Sequence, residues 1–173
     1  MLTARPTTND CPPYPWRYVE LVPEGDLLDI YERQRKETKA LLSGLTDEQA
    51  DYRYAEGKWS IRQIAGHFID NERVFMYRLL RIARNDPNGL VAYDERIFAE
   101  HAPHVRLSME AILAEYDAVR DASLALLRHL PPEAWHRAGA FADGRLTALA
   151  AACISIGHEI HHIKIINERY LGR

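Results

Sequence analysis

Gly157-His158-Glu159-Ile160-His161-His162 sits in the most apolar helical stretch of the chain, about 145–170, and its surroundings decide the fold. Ile154, Ile156, Ile160, Ile163, Ile165 and Ile166 put apolar side chains around most of a helix's circumference, which suits the centre of a bundle better than its surface. His158 and His162 are four residues apart, so on a helix they lie about 40° apart on one face, one turn above the other. Two imidazoles so spaced can aim at a single point, as a metal ion requires. His158 and His161, about 60° apart, could also share an ion, but the four-residue offset aligns the side chains better and leaves His161 on the flank. Unpartnered histidines are costly to bury among isoleucines. Either a metal or a network of hydrogen bonds to carboxylates must compensate.

Working outward, helical periodicity recurs in three earlier segments. The first covers about 24–42, with Leu27, Leu28, Ile30, Tyr31 and Leu41 apolar, and ends at Ser43-Gly44. Thr46-Asp47-Glu48-Gln49 then reads as a capping box opening a short turn of helix. Ser60 is a good N-cap for a second long helix over about 61–84, closed by Asn85-Asp86-Pro87-Asn88-Gly89. A short helical piece is expected near 94–100. Ser108 caps a third long helix over about 109–130, which Pro131-Pro132 stops, and Pro132-Glu133-Ala134-Trp135 can add one more turn. No period-2 stretch bounded by hairpin turns stands out.

The expected fold is therefore all-α, a four-helix bundle with a crossover of about twenty residues between its second and third long helices. Residues 1–23 hold Pro6, Pro12, Pro13, Pro15 and Pro23 and are expected to run as an extended arm, with Tyr14, Trp16 and Tyr18 offering apolar surface to the body. Residues 24–173 form the bundle domain.

A length of 173 residues suits one domain with a real core. The net charge of −3 gives no electrostatic case for nucleic-acid binding, and Arg73, Arg78, Arg81 and Arg84, interspersed with acids, read as a solvated helix face. Cys11 and Cys153 make no disulfide framework and fit a reducing compartment. The N-terminus lacks the apolar core of a signal peptide, and the run 146–156 is too short to span a bilayer. A soluble, cytoplasmic protein without membrane partners is the expectation.

Two histidines hold a transition metal poorly. His67, early in the second long helix on the flank of its apolar stripe, is the best third donor, since bundle cores build metal sites from facing helices. Glu72 falls near the middle of that stripe, between Phe68 and Phe75, where a carboxylate must be ion-paired to an arginine or functional. It lies about 140° around the helix from His67, whereas Asp70 is closer in angle but reads as a surface residue. His101 and His104, in a proline-containing loop, read as exposed. Cys153, about 140° from His158, reads as a small core residue. His158-Glu159-Ile160-His161-His162 also satisfies the His-Glu-x-x-His pattern of zinc proteases, with Glu159 as general base. The missing active-site sheet and the short remaining chain argue against that reading.

Lys58-Trp59-Ser60-Ile61-Arg62-Gln63-Ile64-Ala65-Gly66-His67-Phe68-Ile69-Asp70-Asn71-Glu72-Arg73 resembles the second-helix signature of the DinB-like superfamily, the DNA-damage-inducible four-helix-bundle proteins and their thiol-transferase relatives. Gly157 to His162, followed by Asn167-Glu168-Arg169-Tyr170-Leu171, resembles the last helix of that family, and the likeness runs from about Val22 to the C-terminus. The resemblance implies a three-histidine site for a divalent metal, carried here by His67, His158 and His162. It further implies a homodimer, and relatives that transfer thiols such as bacillithiol or mycothiol to electrophiles. The expected function is a metal-dependent thiol transferase or hydrolase acting on a small-molecule thiol or electrophile. Zinc and nickel both suit imidazole ligands, and Glu72, Asp70 and Glu159 are candidate proton acceptors or ligand-orienting groups. The competing expectation is a non-enzymatic, metal-binding stress-response bundle that acts as a dimeric interaction protein.

Overall fold

The computed structural model describes residues 2–172, and most of its helix boundaries follow from local capping chemistry. A first short helix, α1 (Pro13–Val19), precedes the bundle. The Asp26 carboxylate accepts from the N–H groups of Leu28 and Asp29 to open α2 (Leu27–Ser43). Reciprocal capping boxes, Thr46 with Gln49 and Ser60 with Gln63, open α3 (Asp47–Asp51) and α4 (Ile61–Ala83). Asp94 caps α5 (Glu95–His101), Ser108 caps α6 (Met109–Arg128) and Thr147 caps α7 (Ala148–Ile165), which runs on into a π-helical turn over Ile166–Tyr170. None of the described helices is long and apolar enough to cross a membrane.

The four long helices α2, α4, α6 and α7 make a bundle in which α7 packs on α4 and α2, and α6 closes the ring against both of those. Helices α2 and α4, neighbours in sequence, are thus diagonal in space, and the segment between α4 and α6 carries α5 and a 3₁₀ turn at Pro103–Arg106. The all-α bundle and its long crossover agree with the sequence expectation. Two elements differ from it. The arm is not simply extended: α1 packs along α7, and its prolines are admitted because Pro13 and Pro15 stand in a first turn whose N–H groups have no intrahelical acceptor. At Gly157 a Cβ would come within 1.8 Å of the Tyr18 carbonyl oxygen, so this glycine is what lets α1 lie directly on α7.

The second difference is a hairpin, β1 (Ala138–Phe141) with β2 (Gly144–Thr147). Its two-residue turn places Ala142 in the left-handed region at φ 51°, and Asp143-Gly144 comes one position too late to read as a turn signal. Both outer edges are used: Leu90 donates to the Ala140 carbonyl at 3.0 Å, and Thr147 donates to the Asp10 carbonyl at 2.9 Å. The hairpin thereby ties the crossover to the N-terminal segment, and α7 starts after it rather than at Arg145.

The core falls into two apolar clusters. One joins Leu27, Ile30, Leu79, Leu124, Leu127 and the first half of α7, and the other joins Leu42, Ile64, Phe68, Ile112 and Ile166. Along every long helix the residues between the clusters are polar and buried: Gln34 and Thr38 on α2, His67, Asn71 and Glu72 on α4, Arg120 and Ser123 on α6, and Ser155, His158 and Glu159 on α7. A polar layer crosses the middle of the bundle.

Candidate metal centre

In that layer α4 presents His67 and α7 presents His158 and His162, and one ring nitrogen from each lies within 4.8 Å of the others. The Nε2 atoms of His67 and His158 are 2.9 Å apart, and the His158 and His162 ring centroids are 4.6 Å apart. Ligand bonds of about 2.0–2.1 Å to one shared ion hold two nitrogens at roughly this separation, and a shared N–H···N hydrogen bond serves it when no ion is bound. His158 Nδ1 is buried without a partner, so this ring is not satisfied by the protein alone.

The electrostatics point the same way. Burial takes His67 down to about 4, and burial with the neighbouring histidine charges takes His162 down to about 3 and His158 well below the ordinary value. All three are neutral at pH 7, the form that ligates metal. Three borderline nitrogen donors, each uncharged at neutral pH, fit a divalent transition metal. Tyr18 meets the His158 ring edge-on at a centroid distance of 5.2 Å, and the Trp59 ring is 4.9 Å from that of His67. A cavity of about 870 Å³ opens beside the triad, walled by Tyr18, Trp59, Asn71, Phe75, Arg78 and Tyr93 among others. A second of about 600 Å³ reaches His162 from the side of Tyr54 and Tyr170.

The three carboxylates proposed as proton acceptors have other partners. Glu72 takes the Arg120 Nε at 3.0 Å to each oxygen and Nη2 at 2.8 Å. Glu159 takes Arg120 Nη2 at 2.7 Å, the Thr38 hydroxyl at 2.6 Å and the Tyr116 hydroxyl at 2.8 Å. Arg120 completes its donors on the Tyr31 carbonyl and Gln34 Oε1, with the Tyr31 and Tyr116 rings stacked about it. Burial pushes Glu72 upward against the pull of Arg120, and Arg120, which burial alone would lower, is raised by the two carboxylates. The ion-pair reading of Glu72 therefore holds. Glu159 faces Arg120 and not the histidines, so it is not placed as the general base of a zinc protease.

Asp70 is half-buried beside Arg73, within the fields of His104 and Glu115, and none of Glu72, Asp70 and Glu159 lines either cavity. His104 corrects another expectation. It is buried, bonded to Glu115 at 3.1 Å, because Gly66 has no Cβ where the His104 ring packs. His101 is exposed as expected. Cys153 is fully buried and its thiol is pushed up to about 12 by desolvation, as suits a small core residue.

Reading by sequence missed Arg120, although Ile112, Tyr116, Arg120, Leu124 and Leu127 mark one stripe of α6 that would have revealed it. It also missed Arg78, assigned to a solvated face but buried in the cavity wall.

Comparison with known proteins fits this geometry. YfiT of Bacillus subtilis, named as a candidate metal-dependent hydrolase, is 24% identical over 143 residues, covering 82% of this chain and 80% of that one. A protein of Oceanobacillus iheyensis with the same style of name is 25% identical over 138 residues, covering 79% and 77%. The solved structure of YfiT, described as a four-helix bundle of unusual topology, superposes with a TM-score of 0.72 at 22% identity over 98% of this chain and 94% of that one. A mycothiol-dependent maleylpyruvate isomerase superposes with a TM-score of 0.64 at 16% identity, covering 79% of this chain and 58% of its own. The model of the DinB superfamily matches residues 30–166, most of the bundle and all three histidines, and the chain belongs to that superfamily.

Proposed function

We propose that this chain is a divalent-metal-dependent enzyme in which His67, His158 and His162 hold zinc or nickel and a small-molecule thiol or water attacks an electrophilic substrate in the adjoining cavity. The observation that carries the reading is the convergence of three neutral imidazoles, two buried and one half-buried, at the wall of a cavity large enough for a small molecule. When bound, such an ion supplies a Lewis acid that makes a coordinated thiol or water easier to deprotonate. The chain's own residues do the rest. Burial keeps the three rings neutral, and the Arg120–Glu159 pair fixes the rotation of α7 one residue from His158. Tyr18 and Trp59 pack their rings against His158 and His67 and so hold those imidazoles in place. His161, on the cavity wall beside His162, is a base within the site that can take or return a proton. The names of the B. subtilis and O. iheyensis relatives support hydrolysis, and the likeness to a mycothiol-dependent enzyme is one of fold alone.

The test is metal analysis of protein purified without a histidine tag, followed by a panel of thiols with electrophiles, and of esters and amides, using chelated and reloaded enzyme. Roughly one ion per chain is expected, together with turnover that disappears on chelation and returns on reloading. His158→Ala with His162→Ala should abolish both. Undiminished metal in that variant would refute the site. Metal that raises the melting temperature with no turnover on any substrate would favour the non-enzymatic bundle.

A further inference from the structure

Among the described residues three arginines are buried, Arg62, Arg78 and Arg120. Arg62 binds the carboxylates of Asp47 and Asp51, and Arg120 binds those of Glu72 and Glu159. Arg78, only 4% exposed, has no carboxylate within ion-pairing distance among the described residues. Its Nη2 donates to the Val91 carbonyl at 2.8 Å, and its Nε is buried with no acceptor at all. What surrounds the guanidinium is aromatic: the Phe141, Phe75 and Tyr93 rings lie 4.7, 4.9 and 5.6 Å from its central carbon. Desolvation accordingly pulls it below its ordinary value, opposed only by the Tyr93 hydroxyl and by no carboxylate. An arginine held this way has its fork unfilled.

Arg78 shares its cavity with the three histidines. His67, Asn71, Phe75 and Arg78 stand at spacings of four, four and three along α4, so one stripe of the helix faces the cavity, and Arg78 is about 20° around and about 16 Å along the axis from His67. The stripe thus runs from a metal-ligating ring, past an amide whose Oδ1 accepts from the Tyr93 hydroxyl at 3.0 Å, past an aromatic face, to an unpaired cation. The far wall is closed by the hairpin and the crossover through Phe141, Leu90 and Tyr93.

We propose that the cavity is a two-ended substrate site in which Arg78 receives the carboxylate of an organic acid with an apolar body while the three histidines face its other end. The proposal rests on the metal-enzyme reading above insofar as the bound acid is a substrate; anion capture by Arg78 does not depend on it. A carboxylate matches the planar fork bidentately, and apolar walls around one guanidinium suit a single negative charge better than a phosphate dianion. Glu95 and Asp143, both exposed at the mouth, repel polyanions further.

Benzoate, benzamide and phenyl phosphate are titrated into chelated protein, with calorimetry for affinity and the Nε–H resonance of Arg78 as a local probe that requires no substitution. Benzoate should move that resonance and bind on the order of tenfold tighter than benzamide, as a charge-assisted pair gives. Arg78→Gln, which keeps a donor for the Val91 carbonyl, should lose the preference, and Arg78→Lys should keep only part of it. The double variant His158→Ala with His162→Ala should retain it, which separates failure here from failure of the metal site. An indifferent Arg78 resonance, or a preference that survives Arg78→Gln, would overturn the proposal. Phenyl phosphate binding tighter than benzoate would overturn the choice of carboxylate.

Discussion

His158 and Glu159 are consecutive residues on one helix, yet they belong to opposite kinds of polar cluster. Glu159 joins Arg120, Glu72, Thr38 and Tyr116 in a network where one guanidinium bridges two carboxylates and the Arg120, Thr38 and Tyr116 donors all find oxygens. His158 joins His67 and His162 in a cluster of like groups with a buried Nδ1 left over, lowered affinities for protons and a cavity alongside. One half of the polar layer is complete within the protein. The other needs something from outside. A satisfied buried network rigidifies, whereas an unsatisfied one stores a cost that a ligand can relieve.

Breaking the complete half should have the largest effect on stability. Arg120→Met leaves Glu72 and Glu159 buried without their cation, which costs about 3–5 kcal/mol. Chemical denaturation should show that loss, and it should shrink in acid as the carboxylates take up protons. The same substitution should also lower metal occupancy, because Glu159 no longer fixes α7.

Titrating the incomplete half should be the next largest. His67 and His162 titrate at about 4 and about 3 in the folded chain against 6.5 in the unfolded one. Between those values the unfolded chain binds more protons, so stability of the metal-free protein is full above pH 6.5 and falls as pH drops through 4. For His67 alone, a change from 6.5 to about 4 corresponds to about 3 kcal/mol. Melting of chelated protein between pH 7 and 4 measures it. His67→Gln should flatten the slope. An unchanged slope would show that these rings do not titrate as neutral buried groups.

Gly157→Ala should be the smallest of the three and sharpens the comparison sterically. The added Cβ meets the Tyr18 carbonyl at 1.8 Å, and backbone cannot step aside as a side chain could. About 1–3 kcal/mol of destabilisation is expected. Because Tyr18 also covers His158, faster hydrogen exchange in 13–19 should accompany weaker metal retention, while the Arg120 network stays intact.

Much of this architecture was legible beforehand. Ser60 with Gln63 and Thr46 with Gln49 mark helix starts through bonds that span three residues, so a short window of sequence contains the whole interaction. The stripes of α4 and α6 are equally local. The hairpin was not legible, because Ala142 takes a left-handed turn position without glycine and four-residue strands carry too little alternation. Arg78 and His104 were misread as exposed because what buries them comes from elsewhere: Phe141 and Val91 in the first case, the bare Gly66 backbone in the second.

The sequence by itself determined four long helices, the Ser60 and Ser108 caps of two of them, and a histidine pair one turn apart on the most apolar, since each depends on neighbours within a few positions. It also pointed to His67 as their third partner, through its place beside the apolar stripe and the family resemblance. Only the tertiary structure decided that Arg120 claims both Glu72 and Glu159, and that Arg78 is left alone in the cavity wall. Those outcomes turn on how helices rotate against one another and on which loops close over them, and such non-local packing leaves no periodic trace in the chain.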